Sequence, residues 1–195
     1  MEDVKEKKQQ LRRQVEKKLD ALSQGETQRK LAAIEEQLFE LANFIEAETS
    51  LLYISKQHEV DSSNIIDRSL RNNKDIVLPL FDAKNGSARL FKIQEPQADL
   101  RKAAGDTLEP NPQRCKPVQM ENVDIAIIPG IAFDEKAGRL GTGAGRYDRI
   151  IPKLPATTRK VAVAFEDQIA PLVPLESHDK CVDIIITDER IIYKI

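Results

Sequence analysis

The chain carries almost no surplus charge: 30 lysines and arginines stand against 32 aspartates and glutamates, a net charge of −2. A general nucleic-acid or membrane-surface binder would need a strongly basic face, so neither partner is expected. Long hydrophobic runs are missing too. No apolar stretch approaches a bilayer span, and the opening MEDVKEKKQQLRRQ contains no apolar core of a secretory signal. The two cysteines, Cys115 and Cys181, lie far apart without CxxC spacing, which argues against a disulfide framework or a zinc site. Internal repeats and low-complexity tails are lacking. A cytoplasmic, monomeric protein is the expectation, and 195 residues suit one domain spanning 1–195.

What is present is an alternation of helical and strand patterns. Val4, Leu11, Val15, Leu19 and Leu22 recur at helical spacing, and Ser23–Gln24–Gly25–Glu26 has the form of a capping box that starts a second helix. Leu31, Ile34, Leu38, Leu41 and Ile45 form that helix's apolar stripe. SLLYIS (50–55), DIVLPLF (75–81), VDIAIIPG (123–130), KVAVAF (160–165) and VDIIIT (182–187) are compact buried-strand candidates, with RIIYKI (190–195) closing the chain. ARLFKI (88–93) alternates as an antiparallel or edge strand does. Residues 94–118 hold four of the ten prolines and read as a long loop with a helical turn. The expectation is an α/β fold: one three-layer domain, a mostly parallel sheet flanked by helices, and the N-terminal helix pair packed on it.

Glycine is scarce, at eight residues, yet three of them fall at every second position in GRLGTGAGRYDRII, residues 138–151. The segment leaves the end of an apolar strand and runs into Tyr147, Ile150, Ile151 and Leu154 at helical spacing. Gly141, Gly143 and Gly145 lack Cβ atoms, so backbone N–H groups there can close on phosphate oxygens. Arg139 and Arg146 bracket the loop and can add charge-assisted hydrogen bonds. Asp148 is placed to hold Mg²⁺, which takes oxygen ligands and shares them with phosphate and water. The loop is neither a dinucleotide fingerprint, because position 146 is arginine rather than glycine, nor a Walker A loop. A glycine-rich surface turn is the alternative reading.

The stretch DIAIIPGIAFDEKAGRLGTGAGRYDRII resembles the signature of the 5-formyltetrahydrofolate cyclo-ligase family. KKQQLRRQV (7–15), YISKQHEVDSSNII (53–66), TLEPNP (107–112) and AFEDQIAPLVPLESHDKCVDIIITDE (164–189) resemble further pieces of that family in order. The resemblance implies a reaction. ATP phosphorylates the formyl oxygen of 5-formyltetrahydrofolate, N10 attacks the activated carbon, and 5,10-methenyltetrahydrofolate, ADP and phosphate result. It further implies that Lys8 and Arg12 reach ATP from the first helix. The segment Arg139, Leu140, Gly141, Thr142, Gly143, Ala144, Gly145, Arg146 and Tyr147 would wrap the phosphates, with Arg139 and Arg146 acting in catalysis. Asp148 and Asp183 would hold Mg²⁺, and Ile54 and Glu59 would contact the folate.

The chain departs from the family pattern at several positions. Thr142 stands where an arginine or aromatic residue is usual, and Arg146 replaces a tyrosine. Lys56 replaces a methionine, and Gly105–Asp106 replaces an aromatic–glycine pair. Two rival readings follow from these departures: a family paralogue using ATP on another substrate, and a nucleotide- or folate-binding module without turnover.

Overall fold

The computed structural model describes residues 3–103 and 107–194; Gly105 and Asp106 lie outside them. Two helices open the chain, α1 (Val4–Asp20) and α2 (Gln24–Glu40). Ser23 caps α2 as the sequence predicts: the Glu26 N–H donates to Ser23 Oγ, and Glu26 Oε2 accepts from the Ser23 N–H at 3.0 Å. After the short α3 (Ala42–Glu46), an eight-stranded sheet is assembled from β1 (Thr49–Leu51), β2 (Asp75–Phe81), β3 (Ala88–Ile93), β6 (Lys116–Val118), β7 (Ile125–Ile127), β10 (Arg159–Val163), β11 (Ile184–Ile186) and β12 (Ile191–Tyr193). Its spatial order is β12-β11-β10-β7-β1-β2-β3-β6. The central run from β11 to β2 is parallel, with Leu51 opposite Val77 and Val161 opposite Ile127. β12, β3 and β6 are antiparallel additions at the two edges.

The near-continuous apolar strands are buried on both faces, and their period of two sorts the core. Val161 and Val163 join Ile76, Leu78, Ile125 and Ile127 on one face, against Ile34 and Leu38 of α2 and Ile65 and Ile66 of α4 (Ser63–Arg71). Ala162 and Ala164 point to the other face, against Ile150 and Leu154. Each fully buried Leu or Ile stabilises the fold by roughly 1.5–3 kcal/mol. α1 adds Leu19 to the rim of the first of these cores. Its Val15 packs with Ile131, Ala132, Leu140 and Val173, beyond the carboxyl end of β7.

Residues 94–103 and 107–118 are more ordered than their composition predicts. α5 (Pro96–Asp99) is followed by a two-stranded ribbon, β4 (Leu100–Lys102) with β5 (Leu108–Pro110), and then by β6, which extends the main sheet. The buried Asp99 carboxylate accepts the Gln94 and Glu95 N–H groups at 2.9 Å and so fixes the turn into α5. Among the described residues no helix is long and apolar enough to cross a membrane.

Candidate active site

A cleft of about 1190 Å³ opens at the carboxyl ends of β1, β2 and β7, where parallel α/β sheets place their ligand sites. β7 leaves the sheet through Pro129–Gly130 and enters a second ribbon, β8 (Ala132–Phe133) paired with β9 (Arg139–Leu140). The glycine loop follows β9 and leads into the five-residue α6 (Arg146–Ile150). Its glycines do not share one role. Gly143 has φ +105° and Gly145, the residue before α6, has φ +61°, left-handed backbone that a side chain would strain. Gly141 has ordinary φ; its carbonyl accepts the Arg12 Nε–H at 2.9 Å, and a Cβ there would come within 3.0 Å of Arg139.

The cleft gathers nearly every residue singled out from the sequence: Lys8 and Arg12 from α1, Ile54 and Glu59 beyond β1, and Arg139 through Asp148 apart from Ala144. Ala144 lies on an adjoining dent with Asp148 and His178. Asp183 does not join them. It sits at the amino end of β11, the opposite edge of the sheet, where its carboxylate accepts the Lys160 N–H and pairs with Lys160 Nζ at 3.1 Å. The expected metal pair of Asp148 and Asp183 is therefore not brought together, because a residue preceding a parallel strand faces away from the carboxyl-end cleft.

Two buried cations near the loop, Arg139 and Lys8, are already matched. The Arg139 side chain is 2% exposed and bonds Asp148 Oδ1 at 2.6 Å, the Pro129 carbonyl at 3.2 Å and the Lys180 carbonyl at 3.4 Å. Asp148 Oδ1 also accepts the Lys180 N–H at 3.0 Å. Arg139 thus faces Asp148 rather than open solvent, and it holds that carboxylate at the cleft. Lys8, on α1, bonds Glu176 at 2.6 Å and Asp179 at 2.5 Å. Burial pulls the Lys8 ammonium down, but these two bonds outweigh it and hold its pKa above the ordinary lysine value. Asp179 is the mirror case: burial pushes it up, and Lys8 together with the Glu176 N–H brings it below the usual carboxylate range. Glu176, His178 and Asp179 offer ligand atoms within 4.8 Å of one another, but the Lys8 ammonium takes the place a metal ion would need.

The other end differs. Glu59 Oε2 accepts the Lys56 N–H at 2.9 Å, and burial pushes its carboxyl above the usual range despite the nearby charges of Lys56 and Arg139. Tyr147 packs edge-on against Phe81, ring centroids 5.8 Å apart, and the Arg146 guanidinium lies over the Phe81 ring, 5.0 Å from its centroid. Burial, then the Glu59 charge, push the Tyr147 phenol well up, so it stays neutral.

Sequence reasoning missed three contributors. Glu176 and Asp179 lie within the quoted PLESHDK stretch, but partners more than 160 residues from Lys8 leave no periodic trace. Gln168 is fully buried and donates from Nε2 to the carbonyls of Gly130 at 3.1 Å, Ile131 at 3.0 Å and, more weakly, His58 at 3.3 Å. It thereby ties the exit of β7 to the turn that carries Glu59.

Comparison with known proteins adds the following. The sequence pattern of the 5-formyltetrahydrofolate cyclo-ligase family matches residues 4–188. A Caenorhabditis elegans protein named probable 5-formyltetrahydrofolate cyclo-ligase is 27% identical, over 99% of this chain and 98% of its own. The Mus musculus 5-formyltetrahydrofolate cyclo-ligase is 25% identical, over 92% of each chain. The solved structure of Aquifex aeolicus 5,10-methenyltetrahydrofolate synthetase superposes with a TM-score of 0.83, over 96% of this chain and 92% of its own, at 29% identity.

Proposed function

The chain belongs to the 5-formyltetrahydrofolate cyclo-ligase family, and we propose that it converts 5-formyltetrahydrofolate to 5,10-methenyltetrahydrofolate at the expense of ATP and with Mg²⁺. The observation that carries this reading is the single cleft. It joins a glycine loop, cations from α1 and a half-buried carboxylate beyond β1, segments far apart in the chain. Phosphoryl transfer asks the protein mainly to position phosphates and to balance their charge. The N–H groups of residues 141–145, Lys8, Arg12 and Arg146 do this for the triphosphate. Ile54 gives the folate an apolar contact, and Glu59 accepts hydrogen bonds from pterin N–H groups. Arg139 is a positioning residue in this scheme, because it fixes Asp148.

Asp148 fits Mg²⁺: it presents a hard carboxylate oxygen at the mouth of the loop while Oδ1 is pinned by Arg139 and the Lys180 N–H. Mg²⁺ takes few protein ligands and completes its shell with phosphate and water, so one carboxylate suffices. When bound, the ion supplies neutralisation of phosphate charge. Cys115 and Cys181 are free thiols, which suits a reducing compartment such as the cytoplasm.

The test is an absorbance trace of the purified protein with 5-formyltetrahydrofolate, ATP and Mg²⁺, following the methenyl chromophore. A rise that needs both ATP and Mg²⁺ is expected. A flat trace with ATP still bound would favour a paralogue acting on another substrate, a reading that Lys56 in the cleft wall supports.

A further inference from the structure

Three of the six lysines and arginines that line the cleft are already committed, and a fourth, Lys5, is exposed on α1. Lys8 is held by Glu176 and Asp179, Arg139 by Asp148 and the Pro129 carbonyl, and the Arg12 Nε by the Gly141 carbonyl. Lys56 and Arg146 are different: both line the cleft, and neither forms an ion pair among the described residues. Their attachment points are fixed nonetheless. The Lys56 N–H is bonded to Glu59, and Arg146 follows the left-handed Gly145 with its guanidinium over Phe81. Lys56 is half-buried, and burial followed by the Arg146 charge pulls its pKa down while Glu59 opposes the shift. Arg146 is exposed, and two like charges lining one cleft repel until an anion joins them there.

We propose that Lys56 and Arg146 form an oxyanion seat where the glycine-loop end of the cleft meets the Glu59 end, and that its occupant is the phosphoryl group in transit. This rests on the reaction proposed above. There, the bond from the γ-phosphorus to the ADP oxygen breaks as a bond to the formyl oxygen forms. N10 then attacks the formyl carbon and loses its proton to solvent. The carbon–oxygen bond breaks, and phosphate leaves carrying the formyl oxygen. Charge builds on the phosphoryl oxygens at each stage, between the residues that hold ATP and those that hold the pterin. Lys56 stays protonated throughout and contributes charge, not a proton.

The experiment compares wild type, Lys56→Met and Lys56→Arg by steady-state kinetics and by thermal shift with inorganic phosphate as the probe. Lys56→Met is expected to lower kcat about ten- to hundredfold and to weaken product inhibition by phosphate about tenfold, with Lys56→Arg restoring most of both. Unchanged kcat and unchanged phosphate inhibition in Lys56→Met would overturn the proposal. So would a KM increase confined to folate bearing its glutamate tail and absent for 5-formyltetrahydropteroate, which would assign Lys56 to a carboxylate. If wild type forms no methenyl product, the reaction reading fails by itself. The phosphate-induced thermal shift, present in wild type and lost in Lys56→Met, still upholds the seat, and its equality in the two proteins removes it.

Discussion

The two ends of the cleft solve the problem of charge in opposite ways. At the glycine-loop end, each buried cation has its counter-charge in place: Lys8 reaches 171 residues along the chain to Asp179, and Arg139 grips Asp148. At the Glu59 end, a carboxylate sits in surroundings that disfavour its charge, and Lys56 forms no ion pair among the described residues. The first arrangement contributes to the fold, since removing one member of a buried pair strands the other. The second costs the fold something and is explained by what it can bind. One end is built to be kept; the other is built to be filled.

Breaking a pair at the loop end should therefore harm stability and turnover together. The largest effect is expected for Asp148→Asn. Arg139, 2% exposed, would lose its anion, at a cost on the order of 3 kcal/mol. Methenyl formation should fall at least about a hundredfold and should not recover at raised Mg²⁺; melting curves and the absorbance assay read the two losses. A rate near wild type would remove the metal role from Asp148. Lys8→Met comes next, with about 2 kcal/mol lost and a raised KM for ATP. Its pH dependence is distinctive. The depressed Asp179 value gives stability that is present above the unfolded aspartate value near 3.9 and lost as pH falls through the lower folded value. The raised Lys8 value gives stability that is present below about 10.4 and lost as pH climbs past it. The gap between wild type and variant should be widest around neutrality and close at both extremes in pH-resolved denaturant melts.

The loop's backbone separates positions that the sequence presents as equivalent. Gly143→Ala forces a Cβ into φ +105° and should cost about 1–2 kcal/mol, along with ATP affinity. Gly141→Ala keeps an allowed φ and only crowds Arg139, whose side chain would give by a few tenths of an ångström, so it should cost less. Calorimetric ATP titration of both variants checks the order; equal losses would mean the glycines act as a uniform strip.

That contrast also marks what was legible beforehand. The helices of residues 4–40, the parallel strands and the Ser23 cap follow from local periodicity and chemistry, so their residues state them. The ribbon of residues 100–102 and 108–110 has no apolar alternation, and polar pairs such as Arg101 with Glu109 at 2.8 Å hold it, which composition hides. Lys8 with Asp179, Gln168 with Gly130, and the placement of Asp183 depend on topology. Only strand order and direction decide that Asp179 arrives at the cleft while Asp183, four residues later, lies at the far edge of the sheet.

The smallest effect is the sharpest test of the Glu59 end. Because burial raises the Glu59 pKa, the folded chain holds that proton more tightly than the unfolded one. Ionising it costs stability, fully above the folded value, and the cost vanishes below the unfolded value near 4.3. Glu59→Gln keeps the shape and an acceptor for the Lys56 N–H while removing the charge. Its melting temperature should exceed that of wild type by about 1–3 °C at pH 8 and match it near pH 4, while KM for 5-formyltetrahydrofolate rises and KM for ATP stays put. A variant that is less stable at pH 8 would show that Glu59 belongs to the fold as Asp148 does, and the two ends of the cleft would then be alike.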